Sequence, residues 1–436
     1  MRKLMGAVLL FTFSAATAHG ALTVTGVSAR QRWPWNNLVD VDFTVNGAAG
    51  EPYRIDLSAT YDDGKRSLFA KSFVTEPIVG GGVKSRVVWD LGADYPDFRA
   101  DDLQVTVTAT PFSATTPVYL VIDVSGGKTA SSYPVRYTTT KPVMTAGSPD
   151  ACKTTEIWLR RINGGTCKQG NGAAVTGSGL QDKYAEHTVT LTEDYYIGIF
   201  PITQAQWENV GSGLQGSSAH SVFTNPDYAA TRPVDSIYYK WVRDSDYDYP
   251  TVKEISQDTF LKRLRDRTGL DFDLPTEWQW EYAGRAGGST SHRGGWSEST
   301  MRTLGTAPSD YEFYSDKSKW SAAYGTPYVD QYKANSWGIY CMLGGVREWC
   351  VNTGKSITRN ASYTDPKSGS AGNSRRTKGS DWSRKYDYAF LYYYRNLNDT
   401  ADSSNSNHPM KFKGMIGARI SLTIPKPVAA EEPDAE

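Results

Sequence analysis

Between residues 21 and 140 the apolar positions tend to recur at every second residue. Val39-Asp-Val-Asp-Phe-Thr-Val45 is the clearest stretch, with apolar side chains at odd numbers and polar ones at even numbers. That is the pattern of a strand with one face in a core and the other in water. The same reading predicts strands from Leu22 to Val27, Tyr53 to Ala59, Ser67 to Val74, Val83 to Leu91, Leu103 to Ala109 and Val118 to Val124. Asp62-Asp63-Gly64, Gly80-Gly81-Gly82 and Gly126-Gly127 mark turns between strands. Short strands at this spacing predict an all-β sandwich of immunoglobulin-like type over residues 21–140. No cysteine lies in this stretch, so the antibody-type bridge is absent, and no catalytic constellation is visible. A spacer or docking module is the expected role.

After a stretch rich in Thr, Lys, Pro, Gly and Ser, read as a linker over 141–155, the pattern changes. Thr203 with Gln206 forms a capping box ahead of Trp207, and Gly211 stops that helix. Phe260, Leu261 and Leu264 sit at helical spacing, with Gly269 as the stop. Pro275, Thr276 and Gln279 open a third helix that Gly287 is expected to end. Residues 288–420 are rich in Gly, Ser, Asn, Asp and Tyr and predict much irregular structure. An α+β domain over 156–425 and a disordered acidic tail over 426–436 complete the expected organisation.

Composition narrows the functional classes. Lys+Arg and Asp+Glu balance at 47 each, so nucleic acid has no electrostatic footprint to meet. The 13 Trp and 27 Tyr suit a loop-rich fold packed with large amphipathic side chains. Residues 1–20 read as a signal peptide: Arg2 and Lys3, an apolar run from Leu4 to Phe13, then Ala16-Thr17-Ala18 as the cleavage site. The alternative is a short anchor helix, although the run is shorter than the ~20 residues a membrane span needs. Export to the periplasm, cell envelope or exterior is the expectation, with no transmembrane segment after cleavage. Export permits disulfides. Four cysteines allow three pairings; the local bridges Cys152–Cys167 and Cys341–Cys350 are favoured, against buried free thiols.

Several segments, in order, resemble the formylglycine-generating (sulfatase-modifying factor) family. They are Leu159-Arg-Arg-Ile-Asn-Gly-Gly-Thr166, His187-Thr-Val-Thr-Leu191, Tyr195 to Trp207, and Arg232-Pro-Val-Asp235. The most specific are Leu274-Pro-Thr-Glu-Trp-Gln-Trp-Glu-Tyr-Ala283 and Asn335 to Trp349. Lys378-Gly-Ser-Asp-Trp382 and Ile416-Gly-Ala-Arg419 close the series. The resemblance implies a C-type-lectin-like α+β fold. Most of these residues read equally well as architecture, with Arg285 and Arg419 expected in ion pairs or on backbone carbonyls.

As the resemblance implies, the family's enzymes oxidise a substrate cysteine through two cysteines that bind copper(I). Soft thiolates suit that ion. Aligning on Trp382 places Arg384 and Ala389 near those two positions, and no cysteine follows Cys350. Copper is therefore not expected, and the domain reads as a pseudoenzyme. A second branch of the family uses histidine-held iron, but the five histidines here (His19, His187, His220, His292, His408) are scattered. The family also carries structural calcium, which the match would place at Glu348 with the backbone of Gly344 and Val346. Gly345 stands where the family usually has Asn. The alternative for Glu348 is an ion pair with Arg347 or Arg375.

The stretch from Asp381 to His408 has its own composition: 17 of its 28 residues are Tyr, Asn, Ser or Asp, a paratope-like mix. It resembles the variable region of retroelement-diversified proteins built on the same lectin-like scaffold. Asp381, Trp382, Arg384, Tyr386, Tyr388, Tyr392, Tyr393, Tyr394 and Arg395 are the candidate ligand-binding residues. The leading reading is a non-catalytic peptide- or glycan-binding protein. The alternative is a formylglycine-generating-type oxidoreductase, or a related non-haem iron enzyme, acting through a non-standard site.

Overall fold

A computed structural model of the chain describes residues 22–32, 37–112, 118–171, 185–211, 229–243, 255, 257–288, 326–353, 357–366, 374–382, 391, 394–398 and 415–424. The expected signal peptide and acidic tail lie outside these. The chain divides into two compact units, one of Met1–Val118 with Arg136–Thr140 and Ile424–Glu436, the other of Tyr119–Val135 with Lys141–Thr423.

The first unit carries β1 (Thr23–Gln31), β2 (Leu38–Asn46), β3 (Pro52–Tyr61), β4 (Arg66–Phe69), β5 (Ile78–Gly80), β6 (Lys84–Asp90), the single turn α1 (Leu91–Asp94), and β7 (Gln104–Pro111). β1, β2 and β6 form one antiparallel sheet in that order. β3 centres a second, with β7 along one edge and β4 and β5 sharing the other. The period-two pattern decides which faces are buried. Val39, Val41, Phe43 and Val45 of β2, and Tyr53, Ile55, Leu57 and Ala59 of β3, join Val87, Trp89 and Val107 in one apolar cluster. Trp89 is fully buried, and its indole N–H reaches the Asp94 carboxylate at 2.7 Å, which satisfies the one polar atom of the side chain.

The second unit begins with β8 (Tyr119–Asp123). β9 (Val135–Thr138) falls mostly in the Arg136–Thr140 stretch of the first unit, and α2 (Ala151–Thr154), β10 (Glu156–Ile162), β11 (Gly165–Gln169), β12 (His187–Leu191) and β13 (Tyr195–Gly198) follow in the second. Next come α3 (Gln204–Gly211), α4 (Tyr239–Val242), α5 (Phe260–Thr268) and α6 (Glu277–Arg285). β14 (Arg347–Thr353), β15 (Ser362–Thr364), β16 (Ser374–Lys378), β17 (Tyr394–Asn398), β18 (Ile416–Ala418) and β19 (Ser421–Thr423) end the chain. The strand expected over Val118–Val124 forms as β8, but it pairs antiparallel with β10 and so belongs to this unit. Residues 141–155, read as a linker, are tied down by a buried lysine. Lys153 donates to the Thr145 carbonyl at 2.8 Å and to Asp330 at 2.7 Å.

Three sheets organise the second unit. β19, β13, β10 and β8 are neighbours in one, β11, β12 and β15 make another, and β17, β16, β14 and β18 the third. Between them runs α6, of whose nine residues only Tyr282 is not buried. Trp278, Trp280 and Ala283 join Val189, Tyr195, Met342 and Leu343 in an apolar cluster of this unit. Both predicted capping boxes form. Thr203 and Gln206 exchange side-chain and backbone bonds at 3.0 and 3.2 Å. Thr276 and Gln279 do the same at 3.0 and 3.1 Å. α6 stops one residue earlier than expected, because Ala286 itself takes the left-handed conformation at φ 48°. Among the described residues no helix is long and apolar enough to cross a membrane.

Replacing Thr276 by Ala removes one half of the box that starts the central helix. It is expected to lower stability by about 1 kcal/mol, read as a lower denaturant midpoint with unchanged slope, while Thr276→Ser keeps most of that stability.

Candidate functional site

Two periodicities meet where α6 faces β16. Glu277 and Glu281 are four residues apart on the helix, a rise of about 6 Å on one face. Arg376 and Lys378 are two apart on the strand, about 6.6 Å along one face. The near match lets each carboxylate meet one cation. Arg376 Nε lies 2.9 Å from Glu277 Oε2, and Lys378 Nζ donates to Glu281 Oε2 at 2.8 Å. Arg285 grips the other oxygen of Glu281 at 2.9 and 2.6 Å and gives a further bond to the Gly170 carbonyl. Asn352 donates to Glu277 Oε1 at 2.9 Å and accepts from its backbone N–H at 2.8 Å. All of these charged groups are buried. Burial alone would raise the Glu281 pKa. The Lys378 and Arg285 charges beside it outweigh that and hold it at about 2.

A second buried carboxylate is Glu348 on β14. Arg419 takes both its oxygens at 2.9 Å, the Trp280 indole donates to it at 2.6 Å, and the guanidinium ends on the Gly198 and Tyr340 carbonyls. The expected partners Arg347 and Arg375 are not used. Arg347 precedes Glu348 on the strand and so points to the opposite face, where it meets Asp381 at 2.6 Å. Arg375 stacks over the Tyr239 ring at 5.2 Å. Arg285 and Arg419 thus take the structural roles their motifs suggested.

The metals implied by the family resemblance do not fit these residues. Calcium wants six to eight oxygens, and a guanidinium already sits against both oxygens of Glu348. Gly344 and Val346 are buried beside it, and Gly345 adopts φ 92°, a conformation open to glycine, with no side chain to offer. Among the described residues no group of three or more His, Cys, Asp or Glu could hold a metal ion.

Copper(I) needs thiolates, and the four cysteines are free thiols; the expected Cys152–Cys167 and Cys341–Cys350 bridges are not formed. Each sulfur is engaged locally instead. Cys152 packs with Val121, Trp158 and Phe200, and Cys350 with Trp278 and Leu391. Cys167 accepts from Gln169 at 3.6 Å, and Cys341 donates to the Val329 carbonyl at 3.2 Å. Removal from water pushes the thiols up to about 12 at Cys152, about 11 at Cys167 and about 12 at Cys341, and well above the usual range at Cys350. Thiols so held stay protonated and are poor metal ligands at neutral pH.

The candidate binding residues divide. Asp381 is fully buried, with the Arg347 guanidinium 2.6 Å from its carboxylate. Trp382 is half-buried, its backbone N–H on the Gly345 carbonyl at 2.9 Å. Tyr394 is half-buried on β17 opposite Lys378, with the Arg376 guanidinium 3.5 Å from its ring centroid. Arg395 pairs with Thr377 through the backbone, and its side chain lies outside the described residues. Arg384, Tyr386, Tyr388, Tyr392 and Tyr393, and the family position Ala389, lie outside them altogether.

A small pocket of about 20 Å³ lies beside Tyr394, walled by Gln169, His187, Glu281 and Lys378. That is room for about one water-sized group. His187, directly opposite Gln169 in the β11–β12 ladder, is 6% exposed. Its Nδ1 lies 2.8 Å from the Ala185 carbonyl, and its Nε2 meets no partner among the described residues. The sequence names His187 and Lys378 within family segments but not as candidate binding residues. For Lys378 the signal is the paired spacing, two carboxylates four apart on a helix and two cations two apart on a strand; for His187 there is no such local signal.

A family model of the Sulfatase-modifying factor enzyme 1-like domain matches residues 149–423, and the chain belongs to that family. A curated relative, "Chaperone protein LppX" of Paenibacillus barcinonensis, is 29% identical over 204 residues, which span 39% of this chain and 66% of that protein. Among solved structures, Treponema denticola variable protein 1 is similar at 20% identity and TM-score 0.41, covering 65% of this chain and 99% of that one. PvdO from Pseudomonas aeruginosa is similar at 16% identity and TM-score 0.43, covering 65% and 100%.

Two outcomes follow from the buried charges. The folded pKa of Glu281 lies below its ordinary 4.5, so its ion pairs contribute stability that is full above about pH 4.5 and lost as pH falls through about 2. The shift corresponds to about 3 kcal/mol. Glu281→Gln is expected to destabilise by about 3–5 kcal/mol at neutral pH, with the gap to wild type closing between about pH 5 and 2 in denaturant titrations. A gap constant with pH would show that the carboxylate is not ionised. At Glu348, EGTA or added calcium is expected to leave the thermal midpoint unchanged, whereas Arg419→Met lowers it steeply. A calcium-dependent rise in wild type would show that the carboxylate takes the metal after all.

Proposed function

We propose that this chain is an exported, non-catalytic binding protein whose sulfatase-modifying-factor-like domain captures a peptide or glycan. The observation that carries this reading is the state of the four cysteines. The family resemblance implies thiolate chemistry, and burial keeps every thiol of this chain protonated, while Arg384 and Ala389 fall near the positions of the reactive pair when aligned on Trp382. What the segment after Lys378 offers instead is contact area: Trp382, Tyr386, Tyr388, Tyr392 and Tyr393, with Asn and Ser between and after them. Its two ends are held on rigid backbone, since Lys378 and Tyr394 pair directly across β16 and β17. A relative that bears the name chaperone is in keeping with capture of another macromolecule. The first unit, read as a β-sandwich of immunoglobulin type, serves as a docking part, and residues 1–20 direct export to the periplasm, envelope or exterior.

Family membership favours the second reading, a formylglycine-generating-type oxidoreductase working through another site. The two separate cleanly. With copper supplied, the purified chain is expected to leave a Cys-x-Pro-x-Arg peptide unoxidised, and formation of formylglycine would overturn the binding reading. Alanine at Tyr388 and Tyr393 is expected to abolish capture on panels of immobilised glycans and peptides while leaving the unfolding transition unchanged. Undiminished capture would remove this surface from the proposal.

A further inference from the structure

We infer that the pocket beside Tyr394 is a subsite for one hydroxyl group of a carbohydrate ligand, held between His187 Nε2 and Lys378 Nζ. The inference rests on the binding reading above and names the ligand class. It starts from the protonation of one ring. The Ala185 carbonyl can only accept, so His187 Nδ1, 2.8 Å away, carries the hydrogen. Nε2 is then the ring nitrogen left for a partner. That nitrogen is buried, lines the pocket and has no protein partner among the described residues. Buried polar atoms in native proteins are nearly always paired, so an orphan facing a cavity marks a place for a group from outside.

Lys378 supplies the complementary half. Its ammonium has three N–H donors, and one is spent on Glu281 Oε2 at 2.8 Å. The pocket therefore offers an unpartnered ring nitrogen at His187 and a donor at Lys378. Charge narrows the occupant further. The carboxylates of Glu277 and Glu281 in the wall oppose an anion, and the Lys378 ammonium opposes a cation. A neutral group that both donates and accepts, and that fits about 20 Å³, is a hydroxyl. A sugar ring presents one at nearly every carbon, whereas a peptide presents one only at Ser, Thr or Tyr. The lining suits a sugar as well, since the half-buried Tyr394 and Ile357 contribute apolar surface to it.

The test uses the full chain labelled with ¹⁵N-histidine. Long-range ¹H–¹⁵N spectra report the His187 Nε2 resonance, assigned with His187→Gln. Methyl glycosides of mannose, galactose and N-acetylglucosamine are titrated to millimolar concentration beside a serine-containing peptide. One glycoside is expected to move the resonance to saturation, and its counterpart lacking the engaged hydroxyl is expected not to. His187→Phe and Lys378→Met are each expected to weaken capture of that glycan about tenfold. A resonance that no glycoside moves means an ordered water only and overturns the inference, as does a response to the peptide alone. If Tyr388→Ala and Tyr393→Ala lose capture while His187→Phe binds as wild type does, the subsite falls and the binding reading stands. If the unaltered chain captures neither glycan nor peptide, both fall.

Discussion

A charge removed from water must be met by an opposite charge and by hydrogen bonds, or the fold cannot tolerate it. In the second unit this constraint sets the geometry. Glu277 and Glu281 on α6 meet Arg376 and Lys378 on β16 as two rungs, and Arg285 and Asn352 take the remaining carboxylate oxygens. Because side chains alternate along a strand, a one-residue slip of β16 would turn both cations away and leave both carboxylates unmet. The pairs therefore fix register more than they add net stability. The backbone that leaves Lys378 and returns at Tyr394 is held in that register, so the intervening segment starts and ends at defined points whatever its own sequence.

Local signals in the sequence were legible and long-range ones were not. Alternation along Val39–Val45, the Thr203 and Thr276 caps, and Gly269 as a helix stop all depend on neighbours within four residues, and they appear as read. The end of α6 shows the margin of such reading: Ala286 adopts the left-handed conformation ahead of Gly287, because the surrounding fold and not the residue's own preference decides. Asp381 looked like the first residue of a polar binding segment; only the position of Arg347, 34 residues earlier, shows that it belongs to the interior. Glu348 found Arg419 in place of the nearer arginines, since adjacent residues on a strand face opposite ways. Cysteine proximity in sequence was likewise a poor guide. Cys152 and Cys350 are each packed into an apolar cluster, and all four cysteines are free.

The same physics bears on what the domain has kept of its family. The architecture survives because its parts support one another: the Leu274–Ala283 block supplies a capped helix, the Asn335–Trp349 block a buried carboxylate, and the final Gly417-Ala-Arg419 the cation that answers it. Gly417 has no room for a side chain, since a Cβ there would stand 2.6 Å from the Val234 carbonyl oxygen. Thiolate chemistry asks for a different setting than architecture does. A thiol that must ionise needs a polar or cationic setting, and the settings of these four sulfurs favour the neutral form.

The interior of this domain has to be satisfied atom by atom, and at His187 Nε2 no partner is found among the described residues. The nearby polar atoms of Glu281 and Arg285 are matched to partners at 2.6–2.9 Å, so the region is not loosely built. One buried nitrogen without a partner costs on the order of 1–3 kcal/mol. A Phe of similar size would avoid that cost, and the ring already packs edge-on against Tyr363 at 5.7 Å as a Phe could. The ring's Nδ1 bond to Ala185 recovers only part of the difference, because it leaves Nε2 facing the cavity. The physical case for an imidazole at this position is therefore a group that enters the pocket and completes the network, beside the point where the Tyr-rich segment returns to the sheet.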